Sequence, residues 1–204
     1  MRKGVVILAI LVGFSSFFWT RGETKSFVIS ATVPQATDVD VTLSKIDSKG
    51  TADSTDDVWL GQATAISFGD LTPKTVEDKM ILVPKDNVYY AADVGVDGAG
   101  PWTIHHKVSG ADFLGEGNDS LGDNIVVTFV KQINDTTAED LDKCAIKNSN
   151  GKSFTSAQLE GGWLRIYYGI ATGVPGEPSD VKPITPTEVA RTYTGTVEIT
   201  LTIP

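Results

Sequence analysis

The chain has 204 residues, of which 41% are apolar and 21% charged, and it contains 20 glycines and 9 prolines. This composition is that of a globular protein and excludes a disordered or collagen-like chain. Twenty-six acidic residues against 17 basic ones give a net charge of −9, and there is one cysteine, Cys144. The charge argues against nucleic acid and anionic membranes as partners, and a lone cysteine excludes an intramolecular disulfide.

The first 22 residues differ in character from the rest. Arg2 and Lys3 precede an apolar stretch that begins at Val5. A basic start followed by an apolar core of about 15 residues is typical of a secretory signal peptide and is short for a membrane span. We expect residues 1–22 to be removed, which leaves 14 basic residues against 26 acidic ones and no membrane association. A retained N-terminal anchor and a type IV pilin-like leader, which "RKG" resembles, are the alternatives. Each of the three places the body of the protein outside the cytoplasm.

Apolar and polar residues alternate in "SFVISATVP", residues 26–34. Phe27, Ile29, Ala31 and Val33 share one face of the predicted strand. Proline then ends the strand, because it has no N–H to donate. The strand follows directly after the predicted cleavage region, so an N-terminal extension could pair with a neighbouring molecule.

The pattern continues through the rest of the chain, residues 23–204, which we predict to form one domain. The further predicted strands are 38–46, 65–69, 79–84, 87–96, 102–108, 124–132, 163–170 and the C-terminal segment. Helix is predicted only at 137–143 (two turns) and 186–191 (one turn). The proline-rich stretch 173–186 is predicted to be an extended surface loop. About nine short strands with little helix predict an all-β fold, an antiparallel β-sandwich of immunoglobulin-like or jelly-roll-like type.

The chain closes with "TYTGTVEITLTIP", residues 192–204. One face carries the apolar side chains of Tyr193, Val197, Ile199, Leu201 and Ile203. Burial of the four aliphatic side chains would yield roughly 6–12 kcal/mol, whereas ordering a dozen residues costs about 1–2 kcal/mol each. The strand must therefore pair with neighbours, and we expect it to close the sandwich of its own subunit. The strand exchanged between subunits is expected to be 26–34.

The two histidines, His105 and His106, are adjacent on a predicted strand. Successive strand residues point to opposite faces, so the pair is not expected to bind one metal ion, and one ring should face solvent while the other lies at the core edge. The sequence has no G-x-S-x-G, and no nucleophile lies beside either histidine. We therefore predict no catalytic residues and no enzymatic activity.

Two acidic segments are candidates for a structural calcium ion. Loop 47–57 contains four aspartates, and oxygen-rich loops can hold calcium. Residues 114–121, "LGEGNDSL", resemble one nonapeptide of the calcium-binding parallel β-roll family. That family stacks many copies and this chain has one, which favours a tight hairpin loop. No other cofactor is expected.

The aromatic residues suggest a second possible function for the protein. Trp59, Trp102 and Trp163 remain after removal of the leader. The pairs Tyr89–Tyr90 and Tyr167–Tyr168 must each place one ring on each face of a strand. Aromatic rings on a sandwich can form a platform for sugars, although most such rings are core anchors. A carbohydrate-binding or adhesive module on the cell surface is therefore the alternative prediction.

Residues 101–129, together with the C-terminal strand, resemble bacterial secreted surface β-domains. In those families a tryptophan strand leads through a loop and a hairpin to further strands, and a Tyr-x-Gly-Thr strand ends the protein. Trp102-Thr103-Ile104 and Trp163-Leu164 are similar to the tryptophan motif of the WxL-type cell-surface domain, and pilin-like subunits end in such a strand. The resemblance implies a structural cell-surface protein. We expect a filament or coat subunit whose partners are copies of itself or cell-envelope components, and a monomeric wall-bound domain is the alternative.

Overall fold

The computed structural model describes residues 5–10, 25–30, 39–51, 54–97, 101–115, 119–188 and 193–203. These residues form thirteen strands and two four-residue α-helices, together with short 3-10 turns at Ser54–Asp56 and Ile146–Ser149. The strands are β1 Val5–Ile10, β2 Lys25–Ser30, β3 Val39–Asp47, β4 Val58–Gln62, β5 Ala65–Val76, β6 Lys79–Pro84, β7 Val88–Val96, β8 Thr103–Ser109, β9 Ile125–Asn134, β10 Thr137–Ala145, β11 Lys152–Thr155, β12 Trp163–Ile170 and β13 Gly195–Thr202. The helices are α1 Ala111–Leu114 and α2 Ser156–Leu159. No helix in these ranges is long and apolar enough to cross a membrane.

The strands form three sheets, and neighbouring strands within each sheet run antiparallel. Their orders are β1-β13-β8-β11, β10-β9-β12-β7-β3-β4 and β2-β5-β6. Residues from all three sheets meet in one apolar core, which includes Val197, Ile166 and Ile66. The predicted all-β, antiparallel, sandwich-like fold is therefore confirmed.

Strict alternation produces the central strands. In β12 every second residue is buried, from Leu164 to Ile170, while the residues between them stay partly exposed. Burial of a large apolar side chain contributes roughly 1.5–3 kcal/mol, so one register is strongly preferred over a shift by one residue. The predicted bounds of β6 and β12 match the structure, and those of β3, β7, β8 and β9 agree within one or two residues. The structure extends β5 seven residues beyond its predicted end and makes β13 shorter than the predicted C-terminal strand.

The prediction of two helical turns over 137–143 is wrong, because this segment is strand β10. The side-chain carbonyl of Asn134 accepts hydrogen bonds from the backbone N–H and the hydroxyl of Thr136, both at about 3 Å. This Asx turn reverses the chain, so that β10 pairs with β9 along its length. The second predicted helix is also absent where the chain is described, because residues 186–188 form a turn and a bend, while 189–191 lie outside the described residues.

The proline-rich stretch 173–186 is only partly a surface loop. Ile184 is buried and bridges to Leu82, whose N–H donates to the Ile184 carbonyl at 2.8 Å. Ile184 therefore attaches the loop to the core. The proline content, on which the prediction of a surface loop is based, does not indicate this contact. Helix α2 was not predicted either, although Thr155 and Gln158 form a reciprocal capping box at its start.

Candidate functional site

The closing strand β13 buries the face that alternation assigns to the core. Val197, Ile199 and Leu201 are buried, as is Tyr193 just before the strand. Ile203 follows the end of the strand and is 43% exposed, so the buried row stops at Leu201. Along one side β13 pairs with β8, from Thr196–Ser109 to Thr202–Thr103.

The other side of β13 pairs with β1, a segment of the predicted signal peptide. The register runs over six residues, from Val5 opposite Thr200 to Ile10 opposite Gly195. β1 is the last strand of its sheet, so β13 lies inside the sheet only because these six residues cover it. Without them, about 20 Å of the backbone of β13 would present unpaired N–H and C=O groups.

The predicted assembly strand lies partly in β2. Phe27 and Ile29 belong to β2, which pairs with β5 through five residues and has a register shift between these two. Ala31 and Val33 lie outside the described residues. β2 has one neighbour and forms the edge of the three-stranded sheet. Both N-terminal strands are thus edge strands, each held by a single ladder.

A polar and aromatic cluster covers the outer face of the six-stranded sheet. Arg165 on β12 makes a two-pronged ion pair with Asp93 on β7, with Nε–Oδ1 at 2.6 Å and Nη2–Oδ2 at 2.9 Å. Trp163 donates its indole N–H to the same carboxylate at 3.2 Å, and the Arg165 guanidinium lies 4.9 Å from the ring centre of Trp59. Partial burial lowers the pKa of Arg165, because it disfavours the charged guanidinium. The hydrogen bonds to the Asp93 carboxylate outweigh this effect and hold the pKa of Arg165 above its ordinary value.

The tryptophans therefore do not form a row of free rings. Trp59 is 47% exposed but stacks against a guanidinium, and Trp163 is half-buried with its N–H bonded. Trp102 packs against the core. Sequence reasoning missed Asp93 and Arg165. The available signal was one acid and one base, each facing outward from an otherwise apolar strand.

The tyrosine pairs divide between the two faces as predicted. Tyr90 and Tyr168 are buried, whereas Tyr89 and Tyr167 face outward on β7 and β12, their ring centres 6.0 Å apart. The Tyr89 hydroxyl donates to the carboxylate of Asp57, and burial raises the pKa of Tyr89. The two outward rings line a cleft of about 550 Å³.

The histidines also occupy opposite faces. His106 is fully buried and His105 is partly exposed, so the structure separates them as expected, with His106 deeper than the core edge. Cys144 is a buried free thiol, and burial raises its pKa to about 11. Such a thiol is protonated at neutral pH and is a packing residue rather than a nucleophile.

The described carboxylates of the acidic loop 47–57 are bonded to other side chains of the protein. Asp47 pairs with Lys49 at 2.6 Å, Asp56 accepts from Thr51 at 2.8 Å, and Asp57 accepts from Tyr89. Asp53 lies outside the described residues, as do 116–118 of the segment that resembles a β-roll repeat. Across the described ranges, no three His, Cys, Asp or Glu residues gather in a way that could hold a metal ion. Calcium binding and the expected lack of enzymatic activity stay predictions.

Comparisons of the chain with protein-family models, with curated proteins and with solved structures find no match.

Proposed function

We propose that the protein is a secreted structural subunit of the cell surface that associates with its own copies by β-strand pairing at the outer edge of β13. One observation carries the proposal: among the described residues, β1 alone covers this edge, and β1 belongs to the segment predicted to be removed. The mature subunit would then carry a strand whose buried face is complete and whose edge is open.

Residues 26–34 are the proposed donor from a neighbouring subunit. Within its own chain β2 makes five residue pairs with β5 and none with a second strand in its sheet. Pairing with β13 would offer up to the six positions that β1 now occupies. The exchange therefore gives up about as many backbone pairs as it gains.

For the donor strand, the gain from apolar burial and the cost of ordering the chain nearly balance. Phe27, Ile29 and Val33 together contribute roughly 5–9 kcal/mol when buried, which is of the same order as the cost of fixing some eight residues at about 1 kcal/mol each. Such a strand does not bind without a ready-made edge. This balance fits a strand that stays on β5 of its own chain until it meets the open edge of the next subunit.

The test is assembly of the mature chain, residues 23–204, followed by light scattering and negative-stain electron microscopy. We expect linear oligomers whose length falls when an excess of a peptide of residues 24–35 is added, because the peptide occupies free β13 edges. Ile29→Asp should abolish the oligomers. Ser30→Asp, the matched change at the next position, should leave them.

Circular dichroism melts of both variants would separate lost assembly from lost folding. A mature chain that stays monomeric at high concentration would refute the proposal. Oligomers that are insensitive both to the peptide and to Ile29→Asp would also refute it.

A further inference from the structure

The outer face of the six-stranded sheet has a second feature that the proposed assembly edge does not use. Tyr89 and Tyr167 lie in the cleft of about 550 Å³, between the loop after β3, the β5–β6 hairpin and the loop 173–177. We propose that this cleft binds an acidic saccharide. The sugar rings would pack against the two tyrosines, and the sugar carboxylates would pair with Lys74 and Lys143, both of which line the cleft.

The floor of the cleft is open because Gly169, next to the last residue of β12, has no side chain. Gly169 pairs with Val126 on β9 and lies beside Tyr89 on β7. A Cβ built on Gly169 would meet only the Cβ of Tyr89, at 3.9 Å, which is an ordinary contact. The fold therefore does not require glycine here. The missing side chain leaves a depression between Tyr89 on one side and Val126 on the other.

The aromatic lining is fixed in place before any ligand arrives. The two tyrosine rings are tilted by 53° to each other, and both are half-buried. The hydrogen bond from the Tyr89 hydroxyl to Asp57 restrains that ring. Rings with one apolar face and a bonded polar tip suit the faces of sugar rings, and restraint lowers the entropy cost of binding.

The charge of the cleft is opposite to that of the protein. The chain has a net charge of −9, yet Lys74 and Lys143 stand in the cleft and make no ion pair within the described ranges. Their ammonium groups have backbone carbonyls as neighbours, Gly50 at 3.5 Å and Gly176 at 3.3 Å.

Among the described residues that line the cleft, Glu177 is the only acid, and its carboxylate is already hydrogen-bonded. Its two oxygens accept hydrogen bonds from Thr172 and Gly173 at 2.8–3.0 Å. Two cations that have no carboxylate partner among the described residues attract an anion, and the net negative charge of the protein disfavours anions elsewhere on the surface.

A saccharide fits this cleft better than an acidic peptide. β7, β12 and β9 each have a strand on both sides, so the floor offers no free backbone edge for an added strand. The volume lies within the range of about 300–1,000 Å³ that small-ligand sites occupy. Recognition must therefore come from side chains.

The test titrates tetragalacturonate, an acidic sugar, into residues 23–204 and measures binding by calorimetry. Maltotetraose serves as the neutral sugar control, and a tetraglutamate peptide serves as the acidic control that is not a sugar. We expect saturable binding of tetragalacturonate and at least tenfold weaker binding of the other two. Gly169→Val, which fills the depression, should weaken binding at least tenfold. The double change Lys74→Met/Lys143→Met should do the same, whereas Lys107→Met, an exposed lysine on β8, should leave the affinity unchanged.

Gly169→Ala serves as a second, milder cleft variant if the valine change unfolds the protein. Absence of tetragalacturonate binding overturns the proposal, as does equal binding of maltotetraose. Equal or tighter binding of tetraglutamate assigns the cleft to acidic peptides instead. Binding that survives both cleft variants places the sugar elsewhere and refutes the assignment.

Discussion

Acidification from pH 7 to pH 5 should destabilise the fold through one buried side chain, His106. Its Nδ1 lies 3.0 Å from the Ser149 carbonyl, and its Nε2 lies 3.0 Å from the Tyr168 hydroxyl. A carbonyl only accepts, so Nδ1 carries the proton and Nε2 accepts from the tyrosine, which defines a neutral ring. Burial lowers the pKa of His106 from its ordinary value of 6.5 to about 4.

The sign and size follow from the two pKa values. Between about pH 6.5 and pH 4 the unfolded chain binds a proton that the folded chain refuses, so stability falls as the pH is lowered through this window. The contribution is fully present above the unfolded pKa. At about 1.4 kcal/mol for each pKa unit, the complete loss is about 3 kcal/mol, of which about 2 kcal/mol falls between pH 7 and pH 5.

Urea unfolding followed by tryptophan fluorescence at pH 7, 6 and 5 measures this loss. The wild type and His105→Gln should each lose about 2 kcal/mol between pH 7 and pH 5, because His105, the only other histidine, lies on the opposite face of β8. His106→Gln should be less stable at pH 7 but nearly insensitive to pH over this range. The same pH slope in His106→Gln, or an imidazole of His106 that titrates near 6.5 by NMR, would refute the reasoning.

Two further substitutions test the packing of the sheets by thermal or urea unfolding. Gly195→Ala should destabilise the fold by about 3 kcal/mol, because the new Cβ would lie 2.1 Å from the buried ring of Phe113. The matched change Gly169→Ala should cost under about 1 kcal/mol, and equal effects of the two would contradict the close contact at Gly195. Asp93→Asn should cost about 1–3 kcal/mol, because it removes the charge that faces the part-buried Arg165 guanidinium; a change below about 0.5 kcal/mol would show that the pair contributes nothing measurable.

Alternation predicted the strands that lie between two others and bury one face. β12 shows a perfect two-residue burial pattern, and its bounds follow from the sequence. β4 is exposed along its whole length and β10 over its first half, so neither has the alternation of apolar and polar residues that predicts a half-buried strand. Their pairing depends on turn chemistry and on distant partners. In β1, "VVILAI" is apolar at every position, and such a run does not distinguish a leader from a strand.

The candidate sites were less accessible to sequence reasoning, because pairing across sheets creates them. Asp93 and Arg165 are 72 residues apart, and only the register of β7 with β12 places them side by side. The sequence did predict that one tyrosine of each adjacent pair would face outward. It could not predict that both outward rings would border the same cleft, because that depends on which strands become neighbours.

The two proposed sites lie on different sheets, and this arrangement has a consequence for function. The assembly edge belongs to β13 in the four-stranded sheet, while the cleft lies on the outer face of the six-stranded sheet. Strand pairing at β13 would therefore extend one sheet and leave the face of the other to solvent. A chain of subunits would repeat the cleft once per copy, and linked sites bind a long polymer far more tightly than one site does. A single cleft with two lysines and two tyrosines can then be weak, because assembly supplies the avidity that one subunit lacks.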